Sequence, residues 1–171
     1  NGDNEIIIGG SNGKAVRFSE QDVRVMGRTA SGVIGFNLDE GDYVVGASTD
    51  REGSEILSIT ENGYGKRTDL EEYRKTKRGA KGVNTIIVNE RNGKLAALRT
   101  INGDEELLLM SNEGSMIRIS VDNVGKYGRS TMGVRVFNLS EGDFVASTTV
   151  LMTDEDEENE EIEENNENSE S

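Results

Sequence analysis

The chain repeats, and the repeat limits its fold more than any other feature. Three turn glycines, Gly13, Gly63 and Gly114, each follow a short aliphatic run: Ile6-Ile7-Ile8, Ile56-Leu57-Ser58-Ile59 and Leu107-Leu108-Leu109-Met110. Four residues after each glycine stands an arginine (Arg17, Arg67, Arg118), and fifteen after it stands another (Arg28, Arg78, Arg129). A Gly-Val pair follows after nineteen: Gly32-Val33, Gly82-Val83 and Gly133-Val134. These anchors agree on a period of 50 to 51 residues. A unit of that size cannot bury its own apolar faces, so the copies must stack on one another.

Each unit reads as β. Its aliphatic runs are short, rich in Ile and Val, and bounded by Gly, Asn, Asp and Ser. Strands are expected at roughly 5–9, 14–18, 33–38 and 43–49, with equivalents 50 and about 101 residues on. Asn12-Gly13 and Asn62-Gly63 are hairpin signals of the type I′ kind, in which both central residues need positive φ. The polar stretches 19–26, 69–77 and 120–127 are connections with room for one short helical turn each. The expected fold class is all-β: a propeller-like array of four-stranded blades, about three of them. An open array of three exposes strand edges, an aggregation liability. Further blades are therefore expected upstream of Asn1, and the chain, starting at Asn rather than Met, is expected to be a fragment.

The formal net charge of −14 divides unevenly. Residues Thr153 to Ser171 hold 11 acids and no base, leaving 22 acids against 19 Lys and Arg in the rest, a net of −3. Such a like-charge block lacks the apolar surface to offset chain entropy and is expected to be a disordered tail. It has two readings: a solubilising segment, or a competitor with nucleic acid for a basic face. The middle copy of the repeat supplies that face. Between Asn62 and Val83 lie seven Lys or Arg residues, ending in the glycine-spaced cluster Lys75, Lys77, Arg78, Gly79, Ala80, Lys81, Gly82.

Enzymatic readings find little support. Cysteine and histidine are both absent, which removes disulfides, Cys/His zinc sites, thiol chemistry and histidine bases. No phosphate-binding P-loop, dinucleotide fingerprint or EF-hand pattern occurs. Asp39, Asp42 and Asp143 sit in turn signatures, which account for them. No apolar run approaches the length of a membrane span, and no secretory leader pattern is seen.

The arginine loops point to nucleic acid. A guanidinium bonds phosphate bidentately, and flanking glycines let a nucleic-acid backbone come close. Phosphate contacts position duplex without reading its sequence. Loops recurring every 50 residues along a curved rim suit bent duplex, whose deformation is offset by many backbone contacts. The candidate DNA-binding residues are Arg28, Arg78, Arg129, Lys77, Lys81, Lys66, Lys75, Arg17, Arg67 and Arg118. The low aromatic content (eight Phe and Tyr, no Trp) argues against a single-strand reader that stacks bases.

Three segments carry a family resemblance: MGRTASGVIGFNLDEGDYVVG, ENGYGKRTDLEEYRKTKRGAKGV and YGRSTMGVRVFNLSEGDFV. They resemble the C-terminal domain of the DNA gyrase A protein, the β-pinwheel of a bacterial type II topoisomerase. The resemblance covers residues 4 to 152 and implies that residues 1–152 are the last three blades, with repeats at about 4–50, 54–104 and 105–152. Residues 153–171 would be the variable acidic tail. It further implies a domain that wraps duplex DNA around its rim in support of ATP-dependent negative supercoiling. The partners would be the rest of the gyrase A protein, as a dimer, and the gyrase B protein, in a cytoplasmic, nucleoid-associated setting. ATP and Mg would belong to other parts of the parent enzyme, leaving this segment without cofactor or catalytic residues. Tyr43, Tyr64, Tyr73 and Tyr127 do not correspond to the family's catalytic tyrosine, which lies in another domain. The family's diagnostic box, Q-R-R-G-G-K-G, belongs to its first blade. Lys77-Arg78-Gly79-Ala80-Lys81-Gly82 is a relative of that box, with Lys77 and Ala80 off-pattern. The rival readings are the equivalent domain of topoisomerase IV and a propeller-like protein-interaction scaffold.

Overall fold

The computed structural model describes residues 4–21, 38–75 and 82–151. Among these residues are eleven strands: β1 (Glu5–Gly10), β2 (Lys14–Ser19), β3 (Val44–Thr49), β4 (Glu55–Thr60), β5 (Tyr64–Asp69), β6 (Val83–Asn84), β7 (Leu95–Ile101), β8 (Glu106–Ser111), β9 (Met116–Ser120), β10 (Val134–Arg135) and β11 (Val145–Leu151). Single 3-10 turns occupy Asp50–Glu52, Leu70–Glu72 and Val121–Asn123, the last two inside the expected polar connections. The architecture is all-β, as the repeat requires. Most of the expected strand 33–38 lies outside the described residues.

The strands form three antiparallel sheets, ordered β3-β1-β2-β6, β10-β5-β4-β7 and β11-β8-β9. In each, the two longest pairings are local: a hairpin (β1–β2, β4–β5, β8–β9) and the return of the repeat's last strand to the first. The outer strand is not local. β6, from the second repeat, pairs with β2 of the first, and β10, from the third, pairs with β5 of the second. Four strands per unit holds in the second repeat, but they do not all join one sheet. The second repeat contributes three strands to its own blade and passes a short one, β6, to the first, and the third repeat likewise passes β10 to the second. Among the described residues β9 carries no such outer strand.

This exchange explains the turn glycines. A positive φ occurs at no described residue other than glycine, so Asn12 and Asn62 do not sit in a type I′ turn. The first two hairpins instead have three-residue connections with Gly13 or Gly63 last, and the third a four-residue connection with Gly114 in third place. The three glycines are left-handed at φ 79°, 86° and 95°, as in a type I turn followed by a G1 bulge. Glu113 can thus stand where the other copies have Asn. At the first two turns the next repeat also crosses the glycine. The Gly13 carbonyl accepts from the amides of Thr85 and Ile86, and the Gly63 carbonyl from those of Val136 and Phe137. A Cβ on Gly63 would stand 2.3 Å from the Phe137 carbonyl oxygen; on Gly114 it would meet nothing within 4 Å.

The apolar core lies between blades. Ile7 and Ala15 of the first blade pack with Ile56, Leu70, Tyr73, Ile86, Leu95 and Leu98 of the second repeat. Leu57 and Ile59 turn the other way, onto Leu107, Leu109, Val121, Val124 and Phe137 of the third. β4 is buried along its whole length because both its faces are covered, which is why its aliphatic residues do not alternate with exposed ones and its polar Glu55, Ser58 and Thr60 are buried as well. β3 packs beside β7 and β7 beside β11, so these strands form the inner edge of the array. β6 and β10 lie on the outer edge, or rim.

Candidate nucleic-acid interface

The arginine four residues after each turn glycine has a partner that the period also repeats. Arg17 pairs with Glu5, Arg67 with Glu55 and Arg118 with Glu106, each glutamate lying diagonally across the hairpin, within reach of a long side chain. In the first two blades the guanidinium also reaches into the next repeat. Arg17 Nη1 donates to the carbonyls of Leu70 (3.0 Å) and Tyr73 (2.9 Å). Arg67 Nε donates to Val124 O (2.6 Å), and its Nη1 to Glu55 (3.0 Å). The next repeat returns a lysine to the same glutamate: Lys75 to Glu5, and Lys126 to Glu55 and Asp69. Burial acts to raise the Glu5 carboxyl, but hydrogen bonds from Lys75 and Arg17 outweigh it and hold the group below its usual range. Asp69 raises Lys126.

This geometry redistributes the expected DNA contacts. Arg17 and Arg67 join blade to blade, with their donors committed to carboxylate and main chain. Arg118, its side chain 55% exposed, keeps the equivalent glutamate and has no main-chain acceptor from another repeat among the described residues. Lys75 and Lys126 remain exposed, each with one face on a carboxylate. The glutamates recur in the sequence twelve residues before each arginine, a spacing that a pattern of basic residues alone does not single out.

Lys66 departs furthest from expectation. It is fully buried, and Nζ donates into the loop that leads to β10: to Gly128 O (2.5 Å), Arg129 O (2.8 Å), Thr131 O (3.1 Å) and Thr131 Oγ1 (3.0 Å). The equivalent positions in the other copies are Val16 and Ile117. A cation committed to four oxygens inside the protein has no donor left for a phosphate; it shapes the loop instead. Burial lowers its pKa to about 8, with Glu72 opposing the shift and Arg129 adding to it.

Arg129, on that loop, is half-buried. Its Nη1 donates to the Asn84 carbonyl at 3.3 Å, while Nε is buried with no acceptor among the described residues. Arg28, Arg78, Lys77 and Lys81 lie outside the described residues. On the rim of the second blade, one segment thus presents Lys126, Arg129 and Arg135 within ten residues.

No cluster of metal-ligating side chains occurs among the described residues, and no helix among them is long and apolar enough to cross a membrane. A cavity of about 330 Å³ lies at the inner edge between Val45–Ala47, Ala96–Arg99 and Thr148. Its lining carries no convergent set of reactive groups.

Comparison with known proteins agrees with this architecture. The family model described as the DNA gyrase C-terminal domain, beta-propeller, matches residues 4–49, 54–102 and 105–151, one segment per repeat. The DNA gyrase A protein of Ureaplasma parvum serovar 3 is 43% identical over 149 residues, covering 87% of this chain and 18% of that protein. Its counterpart in Staphylococcus epidermidis is 44% identical over 158 residues, covering 91% and 18%. The chain thus spans under a fifth of the length of these relatives. Among solved structures, the C-terminal domain of DNA topoisomerase IV superposes with a TM-score of 0.74 at 23% identity, covering 87% of this chain and 47% of that one. A DNA gyrase A C-terminal domain superposes with a TM-score of 0.58 at 20% identity, covering 89% and 67%. At these identities the superpositions speak to fold alone.

Proposed function

The chain belongs to the DNA gyrase C-terminal domain family, and from that premise we propose that it binds duplex DNA by its backbone, without reading sequence, and wraps it along the rim of the blade array. In the parent enzyme the wrap would support ATP-dependent negative supercoiling by an assembly of two gyrase A and two gyrase B proteins in the bacterial cytoplasm. The catalytic tyrosine, ATP and Mg would be supplied elsewhere in that assembly.

The observation that carries this reading is the exchanged segment at the outer edge of the second blade. The chain that crosses from one blade to the next must run along the rim, and there it presents Lys126, Arg129 and Arg135 in succession. Arg129 lies on a loop whose carbonyls Lys66 draws inward. Gly128 and Gly133 flank that loop, and Gly133, left-handed at φ 69°, lets it close on the second blade, since a Cβ there would stand 2.5 Å from the Gly65 carbonyl oxygen. The relatives at 43% and 44% identity are gyrase A proteins, which favours gyrase over topoisomerase IV.

The test is a duplex-binding titration over a range of salt. Neutralised phosphates release counterions, so affinity should fall steeply, with a log–log slope of about −0.9 per phosphate contacted. Changing Arg28, Arg78 and Arg129 together to Ala should flatten that slope. A salt-independent affinity, or undiminished binding by the triple variant, would favour the protein-interaction scaffold instead.

A further inference from the structure

Between the second and third repeats, two arginines that no repeat anchor marks converge on one tyrosine. Arg91, in the loop before β7, lies over the Tyr64 ring with its guanidinium carbon 4.2 Å from the centroid. Arg135, on the exchanged strand β10, stands 5.1 Å from the same centroid and donates from Nη2 to the Tyr64 hydroxyl at 2.6 Å. Tyr64 is buried, and both arginines are exposed. Neither forms a salt bridge with a carboxylate among the described residues.

The arrangement is held from several sides. Asn62 Nδ2 donates to the carbonyls of Glu90 (3.3 Å) and Arg91 (2.9 Å), fixing the loop to the hairpin turn. Asn92 Nδ2 donates to Ile87 O (2.8 Å) and Met132 O (2.9 Å), tying it to the next repeat. The two arginines line a cleft of about 230 Å³ with Asn62, Leu139, Ser140 and Asp143. Asp143 adds one carboxylate to that lining against two guanidinium groups; its Oδ1 accepts from the amides of Glu113 and Phe144, and it forms a salt bridge with neither arginine.

We propose that Arg91 and Arg135, braced on Tyr64, form an oxyanion site that takes a single phosphate group of the DNA backbone. Two guanidinium groups not matched by carboxylates, fixed on a rigid aromatic ring, offer planar donors to phosphate with little side-chain entropy left to lose. A stacked base is excluded, since the arginines themselves cover the ring on which it would lie. The local field is positive enough to act on the tyrosine: hydrogen bonds from Arg135 and then Arg91 hold the Tyr64 hydroxyl below its usual pKa. The site joins the rim segment that carries Arg129 and rests on the DNA-binding reading.

The test follows the guanidinium Nε signals of Arg91 and Arg135 by NMR in the intact chain, with inorganic phosphate and then with a short duplex. Saturable shifts at both residues with phosphate, reversed when duplex displaces it, are expected. In the Arg91→Gln/Arg135→Gln variant the shifts should vanish, duplex affinity should fall about tenfold at moderate salt, and the salt slope should lose about 0.9. Arg91→Lys/Arg135→Lys, which keeps the charge but not the planar fork, should recover only part of the affinity. Phosphate binding without competition from duplex would make this a free-anion site and overturn the backbone assignment. A duplex that binds with a steep salt slope but leaves both signals and the double variant's slope unchanged overturns the site while leaving DNA binding intact. Absence of any salt-dependent duplex binding defeats both.

Discussion

The ammonium group of Lys66 donates to the main-chain carbonyl of Arg129 at 2.8 Å, from inside the protein and across the boundary between two repeats. One residue of the pair is buried and the other half-buried, and the first sets the backbone from which the second projects. Of the three copies, the second has a lysine at this position where the others have Val16 and Ile117.

Lys66→Met should therefore loosen the loop without emptying the core. The three carbonyls and the hydroxyl would lose their donor while the apolar stem is replaced, at an expected cost of about 1–3 kcal/mol, measurable by urea unfolding. Amide exchange should quicken at 128–131 before it does at β8 or β11.

The same residue predicts a pH dependence. The folded protein releases the Lys66 proton near pH 8, whereas the unfolded chain holds it until about 10.5. Between those values the unfolded state binds more protons, so this group makes stability rise with pH, by at most about 1.4 kcal/mol per unit. Below pH 8 both states are protonated and the contribution to the slope disappears. Unfolding of wild type and Lys66→Met compared from pH 7 to 10 should show the wild type gaining relative to the variant above pH 8. Parallel profiles would contradict the assignment.

The turn glycines separate two demands that the sequence merges. Gly63→Ala must adopt positive φ and also displace the Phe137 carbonyl, whereas Gly114→Ala meets only the first. The expected losses are about 3 kcal/mol or more for Gly63 and about 1 kcal/mol for Gly114, read from thermal unfolding of the two single variants.

A similar contrast applies to the repeated ion pair. Glu55→Gln leaves Arg67 and Lys126 without their shared carboxylate in a mostly buried setting, and a loss of about 2–3 kcal/mol is expected. Glu106→Gln breaks the same pair where Arg118 is over half exposed, and about 0.5 kcal/mol or less is expected. Equal effects would mean that the link to the next repeat contributes nothing.

For the acidic segment, deletion of residues 153–171 should raise duplex affinity at low salt, with the gain shrinking as salt screens the competition. Identical binding by the truncated chain would leave solubility as the segment's role.

Much of the fold was legible in the sequence because the repeat is a local, one-dimensional signal. Gly13, Gly63 and Gly114, with their aliphatic runs, located three hairpins to within a residue or two. They did so even though the expected turn type was wrong, since glycine satisfies φ > 0 in either turn. Composition also marked the aliphatic runs as core. The functions of the charged residues were less legible, because a cation looks the same in sequence whatever it faces. Arg17 and Arg67 share their spacing with Arg118, yet the first two join blades and the third stands open. Lys66 sits in a basic cluster and is buried. Arg91 and Arg135 share no period and meet at Tyr64. The order of strands along the chain follows from local pattern, which the three units repeat once each. The exchange of β6 and β10 between blades was decided only in the tertiary structure, because a guanidinium or ammonium group acquires its partners from whichever neighbouring backbone the packing brings within about 3 Å.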